Sequence, residues 1–292
     1  MVYSSYRVPR MFPIDNQEQV KEYCAVIRNF LSYMLLHGVC REWTAVIMAA
    51  KRICDLAEKE LWSIKQATAM LPGDFNISAS TLFGGYHEKV RVIDQSWAVD
   101  ADWEEFGSNK KGFSIPEAQR VFMTGVAVCD EDLPNEFDDD FLNPLTRISK
   151  TQIKSYEVVE IDRATADTIA MYSKTKNIHG EIGLLKPLGV LKVKYWEGTK
   201  IQEEDASDDE AAEALMHDGV ESFFLEDQIL ELLSIGLKMQ VVIAELSCGF
   251  KFIDNITGLY CSFFTYLPNE KMVYWKEPGR TSCGMQDLIQ KD

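Results

Sequence analysis

The chain has 292 residues, 46% of them hydrophobic, and carries 46 acidic against 30 basic side chains for a formal charge of -16. That length and apolar content imply a protein with a real core, in one large domain or two moderate ones. A charge of that sign is wrong for gripping phosphate backbones and leans towards a positively charged protein as ligand, although charge alone suits a generally acidic protein equally well.

No run of about 18 uncharged apolar residues occurs, and the N-terminus has no apolar stretch of signal-peptide length, so neither a membrane span nor secretion is expected. Seven cysteines (Cys24, Cys40, Cys54, Cys129, Cys248, Cys261, Cys283) stand without CxxC pairs. The odd count points to reduced thiols in a reducing compartment, read as small buried hydrophobes. The sequons at Asn76 and Asn255 are then chance matches.

In chain order, residues 1–14, with Pro9 and Pro13, form an arm. Asp15, with Glu18 three residues on, caps a helix whose apolar residues recur at Val20, Tyr23, Ile27, Phe30, Leu31, Met34 and Leu35 and which stops at Gly38. A second helix runs from about Arg41 to Met70, ended by Pro72-Gly73. Two long helices joined by a few residues lie antiparallel, giving a helical hairpin with Cys24, Cys40 and Cys54 in or beside its seam. The stretch LPGDFNISASTLFGGYHEK is poor in helix formers and is expected to be compact and irregular, anchored by Phe75, Leu82 and Phe83. Ser114-Ile-Pro-Glu117 is a capping box that opens a helix to about Val126. The helical part thus covers 15–128, and an acidic loop at 129–145 follows.

From 146 to 292 the texture is mixed. Residues around Tyr156 and Val158 alternate as a strand, Asp162 caps a short helix through Ile169 to Tyr172, and Leu191, Val193 and Tyr195 alternate with lysines as a second strand. An acidic insertion occupies 202–218. An amphipathic helix near Phe223 to Gly236 comes next, then strands at KMQVVIAEL, GFKFI and LYCSFFTYL, the last two joined as a hairpin across Asp254 to Gly258. The fold class expected is α+β: an N-terminal helical hairpin or bundle packed with a C-terminal, mostly antiparallel β region, the whole of 1–292 making one compact unit.

Chemistry is sparse. Four histidines lie far apart, and His37-x-x-Cys40 has metal-ligand spacing but no second pair. Cys40 with His87 has no better support as a nucleophile pair. Phe83-Gly84-Gly85-Tyr86 lacks the context of a phosphate cradle and reads as a tight turn. Asp138, Asp139 and Asp140 do not have the spacing of a calcium loop. No catalytic residue, cofactor or metal site is therefore assigned. Trp97 and Trp103 are candidate partner anchors, and Ser207, within Ala206 to Glu210, suits an acid-directed kinase. The candidate partner-binding residues are Asp130, Glu131, Asp132, Glu136, Asp138, Asp139 and Asp140 in the first acidic run. Glu203, Glu204, Asp205, Asp208, Asp209 and Glu210 are those of the second.

The strings FLSYMLLHGVCREW (Phe30 to Trp43), RICDLAEKEL (Arg52 to Leu61) and LPGDFNISASTLFGGY (Leu71 to Tyr86) resemble the Argonaute-binding subunit of the fungal Argonaute siRNA chaperone complex. LSCGFKFID (Leu246 to Asp254) and YCSFFTYLPNE (Tyr260 to Glu270) fit the same family, so the resemblance spans most of the chain. Where the family pattern has His-Asp-Val-Cys-Pro-Glu, this chain has His37-Gly38-Val39-Cys40-Arg41-Glu42. The resemblance implies a non-catalytic nuclear or cytoplasmic partner of Argonaute and of a further subunit of that complex. It would meet duplex siRNA only through Argonaute, restrain slicing or passenger-strand release, and support heterochromatin assembly. Beside it stand two other readings: an acidic chaperone for histones or similar basic proteins, and an enzyme of unfamiliar type using carboxylates such as Asp74 or Glu88.

Overall fold

The computed structural model describes residues 14–90, 112–129, 148–179, 185–196 and 219–264. Helix α1 (Gln17–Leu36) and helix α2 (Thr44–Met70) form the hairpin, joined through a 3-10 turn at Arg41–Trp43. Its seam is apolar near the base, where Val20 and Cys24 meet Ala57 and Leu61, with Cys261 and Ile14 closing the cluster. Cys54 is buried in the same hairpin, whereas Cys40 is exposed in the turn with a positive φ of 56°. The cap of α1 lies one residue beyond the expected Asp15: Asn16 Oδ1 accepts from Gln19 N at 2.9 Å, and Gln19 Oε1 accepts from Asp15 N at 2.8 Å. Gln19, not Glu18, answers the cap, and its side chain reaches past the cap residue to the N–H before it, a variant of the capping box.

Five antiparallel strands follow the order β3-β2-β1-β4-β5: β1 (Ile148–Asp162), β2 (Leu188–Tyr195), β3 (Val220–Glu226), β4 (Lys238–Leu246) and β5 (Lys251–Tyr260). One face of the sheet holds a continuous core from all five strands, including Tyr156, Leu191, Phe223, Met239 and Ile253, with Ala67 of α2 packed against it. Register shifts interrupt the β1, β4 and β5 ladders, and such bulges sharpen twist and curl. The sheet curls until its two edges, β3 and β5, approach each other. At the opposite sheet face, helix α3 (Asp74–Phe83) and helix α4 (Ile115–Cys129) join Leu188, Ala244, Leu246 and Phe252 around stacked rings of Phe75 and Phe122, 5.4 Å apart. Gly125 lets α4 approach α3 closely, since a Cβ there would stand 2.6 Å from the Phe75 ring.

Four expectations are corrected here. The segment expected to be irregular is helix α3, in which every residue from Asp74 to Phe83 except Leu82 is buried. Burial on all sides outweighs the poor helix propensity of its asparagine, serines and threonine. The helix after β1, α5 (Ala166–His179), is capped by Thr165, whose Oγ1 accepts from Thr168 N at 3.1 Å, and not by Asp162. The expected amphipathic helix from Phe223 is β3 followed by the four-residue helix α6 (Asp227–Leu230), because Phe223 and Leu225 alternate into the sheet core. The Asp254 to Gly258 turn is absent: β5 continues through it, with register shifts at Asp254 and Thr257, and the β-turn falls at Leu246 to Gly249, where Gly249 N donates to Leu246 O at 2.9 Å. Asp254 is retained in the strand by bonds to a neighbouring helix, described next.

Candidate partner-binding surface

Polar side chains of α3 and its neighbours hold the curled sheet shut. Asn76 Nδ2 donates to Phe224 O of β3 at 3.0 Å and to Pro72 O at 2.9 Å, while its Oδ1 accepts from Ile253 N of β5 at 3.1 Å. One side chain thereby bridges both edges, leaving neither groove side open for a foreign strand at that point. Glu226, at the end of β3, accepts from Phe75 N at 2.6 Å and so caps α3, whose own N-cap residue is Gly73. Burial pushes the Glu226 carboxyl up to about 7, against the pull of that hydrogen bond. At the other end of α3, Asp254 accepts from Ser80 Oγ at 2.6 Å and from Tyr86 N at 3.0 Å. The glycine pair is a turn, as expected, with Gly84 left-handed at a φ of 87°. Glu60 of α2 ties the hairpin to the chain after β5, accepting from Ser262 N at 2.8 Å and Oγ at 2.6 Å.

These polar contacts explain the unusual composition of LPGDFNISASTLFGGY, but they do not converge as a reaction centre would. Asp74 is buried at the start of α3 and ion-paired to Lys186 at 2.9 Å, while Glu88 lies beyond the other end of that helix. A cavity lined by Phe75, Tyr172, Lys186 and Glu226 has a volume of ≈ 10 Å³. That is space for about one water. Among the described residues no three His, Cys, Asp or Glu side chains gather as a metal site would require. No described helix is long and apolar enough to cross a membrane. His37 packs on the Tyr33 ring at 4.3 Å between centroids.

The surface that stands out is the free end of the hairpin. Val26, Phe30 and Tyr33 of α1 are 69%, 61% and 57% exposed, and Val46 of α2 is 57% exposed, with Leu56 and the half-buried Ile53 beside it. Side chains advance about 100° per residue around a helix, so each set forms one stripe. Measured from the seam residues (Val20 and Cys24; Ile47, Cys54, Ala57 and Leu61), both stripes are turned in the same sense, by about 130° on α1 and about 100° on α2. In an antiparallel pair, turns in one sense bring both stripes to the same side. The opposite side is polar: Arg28 binds Glu58 at 2.8 Å and Asp55 at 2.9 Å. Sequence periodicity placed Phe30 in the core stripe, and the structure exposes it, because among the described residues the hairpin meets the sheet at its base.

The acidic candidates Asp130, Glu131, Asp132, Glu136, Asp138, Asp139 and Asp140, and Glu203, Glu204, Asp205, Asp208, Asp209 and Glu210, lie outside the described residues, as do Ser207, Trp97 and Trp103. No curated protein matches the chain, and no solved structure matches it. A family model does match, over residues 1–278, and its description is Argonaute siRNA chaperone (ARC) complex subunit Arb1. That span takes in the hairpin, the buried α3 and all five strands, and the chain belongs to this family of Argonaute siRNA chaperone complex subunits.

Proposed function

We propose that this chain is a non-catalytic regulatory subunit that associates with Argonaute and with a further subunit of the complex. In that role it restrains slicing or passenger-strand release of duplex siRNA and supports heterochromatin assembly, working in the nucleus, the cytoplasm or both. The family match over residues 1–278 carries the reading. The dispersal of Asp74 and Glu88 to opposite ends of α3 agrees with a binding role. Duplex siRNA is met through Argonaute, since a chain of charge -16 repels phosphates. The acidic runs at 130–140 and 203–210 supply electrostatic attraction to basic surface on Argonaute.

The test is passenger-strand cleavage by purified Argonaute loaded with duplex siRNA, with and without saturating amounts of the chain. Slower cleavage or release is the expected result, and an unchanged rate at saturation overturns the reading. Free histones at a concentration equal to that of Argonaute distinguish the acidic-chaperone alternative: displacement of Argonaute by them favours that alternative.

A further inference from the structure

We propose that the shared stripe of the hairpin is a docking platform for an amphipathic helix with acidic flanks, supplied by a protein partner and seated between α1 and α2 as a third helix. This deepens the proposed function and rests on it, since the helix belongs to Argonaute or to the further subunit. Contiguous large apolar side chains on both helices of an exposed pair form a surface that a solitary protein rarely leaves uncovered. Rings and branched side chains line the groove: Phe30 and Tyr33 on one wall, Val46, Ile53 and Leu56 on the other. An apolar helix face laid along such a groove is a standard mode of recognition.

Charge selects the occupant. In a chain of -16, this end of the hairpin is bordered by exposed Arg41 and Arg52, with Glu42 as the nearby acid. The ion pairs of Arg28 keep Asp55 and Glu58 to the opposite side. A helix flanked by carboxylates gains from that basic border, whereas a basic helix, the natural ligand of the rest of this acidic surface, gains nothing there. The platform therefore complements the acidic runs, and one partner carrying both basic surface and an acid-flanked helix would engage the chain at two places.

The experiment follows hydrogen exchange of the full chain alone and mixed with purified Argonaute and the further subunit, alongside affinity of a Phe30→Glu/Val46→Glu variant. An Ile153→Glu variant serves as control, its side chain being 67% exposed on the sheet. Added protection across residues 26–56 is expected, with at least about 30-fold weaker binding by the hairpin variant, as for loss of central interface anchors. Its melting temperature and the affinity of the control should match the wild type. A complex in which α1 and α2 exchange as fast as in the free chain overturns the docking site and leaves the proposed function standing, as does binding by the hairpin variant within twofold of wild type. Protection that grows with the chain's own concentration assigns the face to a second copy and also overturns it. Failure of the wild type to bind either component removes the proposed function, and the docking site with it.

Discussion

Asn76 is the residue on which the two sheet edges depend. Replacing it with alanine removes the bonds to Phe224 O and Pro72 O and leaves Ile253 N–H without its acceptor inside the fold. Buried groups left unpaired cost more than the net value of the bonds they made, so Asn76→Ala should lose about 3 kcal/mol in urea unfolding. A loss below about 1 kcal/mol would mean that water replaces the side chain at the seam. Glu226 raises a different issue, because burial lifts its carboxyl from 4.5 to about 7. The folded chain then holds a proton that the unfolded chain releases. This contribution to stability is complete below about 4.5 and is lost as pH rises through about 7. Glu226→Gln stays neutral throughout and should lack this decline, a difference of ~3 kcal/mol between pH 4.5 and 7.5. Parallel pH profiles for variant and wild type would show that Glu226 is ionised in the folded state. Glu221 shows the contrary outcome: its burial opposes charge, yet hydrogen bonds from Lys154 at 2.9 Å and Tyr156 at 2.8 Å hold its carboxyl below the usual range.

Among the elements, α3 is the one that exists only in company. Its ten residues, DFNISASTLF, include asparagine, two serines and threonine, and its first turn is capped from β3 by Glu226. Isolated helices shorter than about 12 residues are marginal even when rich in alanine. A peptide of residues 72–85 should accordingly give a coil spectrum by circular dichroism in water, and substantial helix there would show that local sequence suffices. Helices α1, α2 and α4 were readable in advance because their apolar period is a local signal, and so is the cap of α4, Ser114 Oγ with Glu117 Oε2 at 2.6 Å; the cap of α1, expected at Asp15 with Glu18, stands instead at Asn16 with Gln19. The same logic fails for β3 and α6. Phe223, Leu225, Ile229 and Leu232 fit a helical period, while only the pairing with β2, Leu191 opposite Phe223, makes alternation the winning pattern. Asp254 and Gly258 look like turn residues, yet Asp254 is held in β5 by Ser80 and the Tyr86 amide.

At the scale of the whole molecule, the charge of -16 is a long-range property that acts before contact. Electrostatic steering raises association rates and weakens with salt. Replacing the acids of 130–140 and 203–210 with their amides should slow association with Argonaute by about tenfold at low ionic strength and flatten its salt dependence. Unchanged rates for the combined variant would remove the acidic runs from the interface. The apolar face of the hairpin was not legible as a surface, since periodicity reports that Phe30 and Tyr33 share a helix side with other apolar residues but not how far the hairpin extends beyond the sheet. Sequence by itself determined the α+β class, the hairpin, the cap at Ser114, most strands and the family, because these rest on local periodicity, local hydrogen bonds and motif identity. The tertiary structure alone decided that a polar ten-residue stretch becomes a buried helix, that Asn76 closes the sheet and that the hairpin's free end is left uncovered by the other described residues. Each of those outcomes depends on partners more than a hundred residues away in sequence or on the relative reach of two elements, and neither quantity is written in any local pattern.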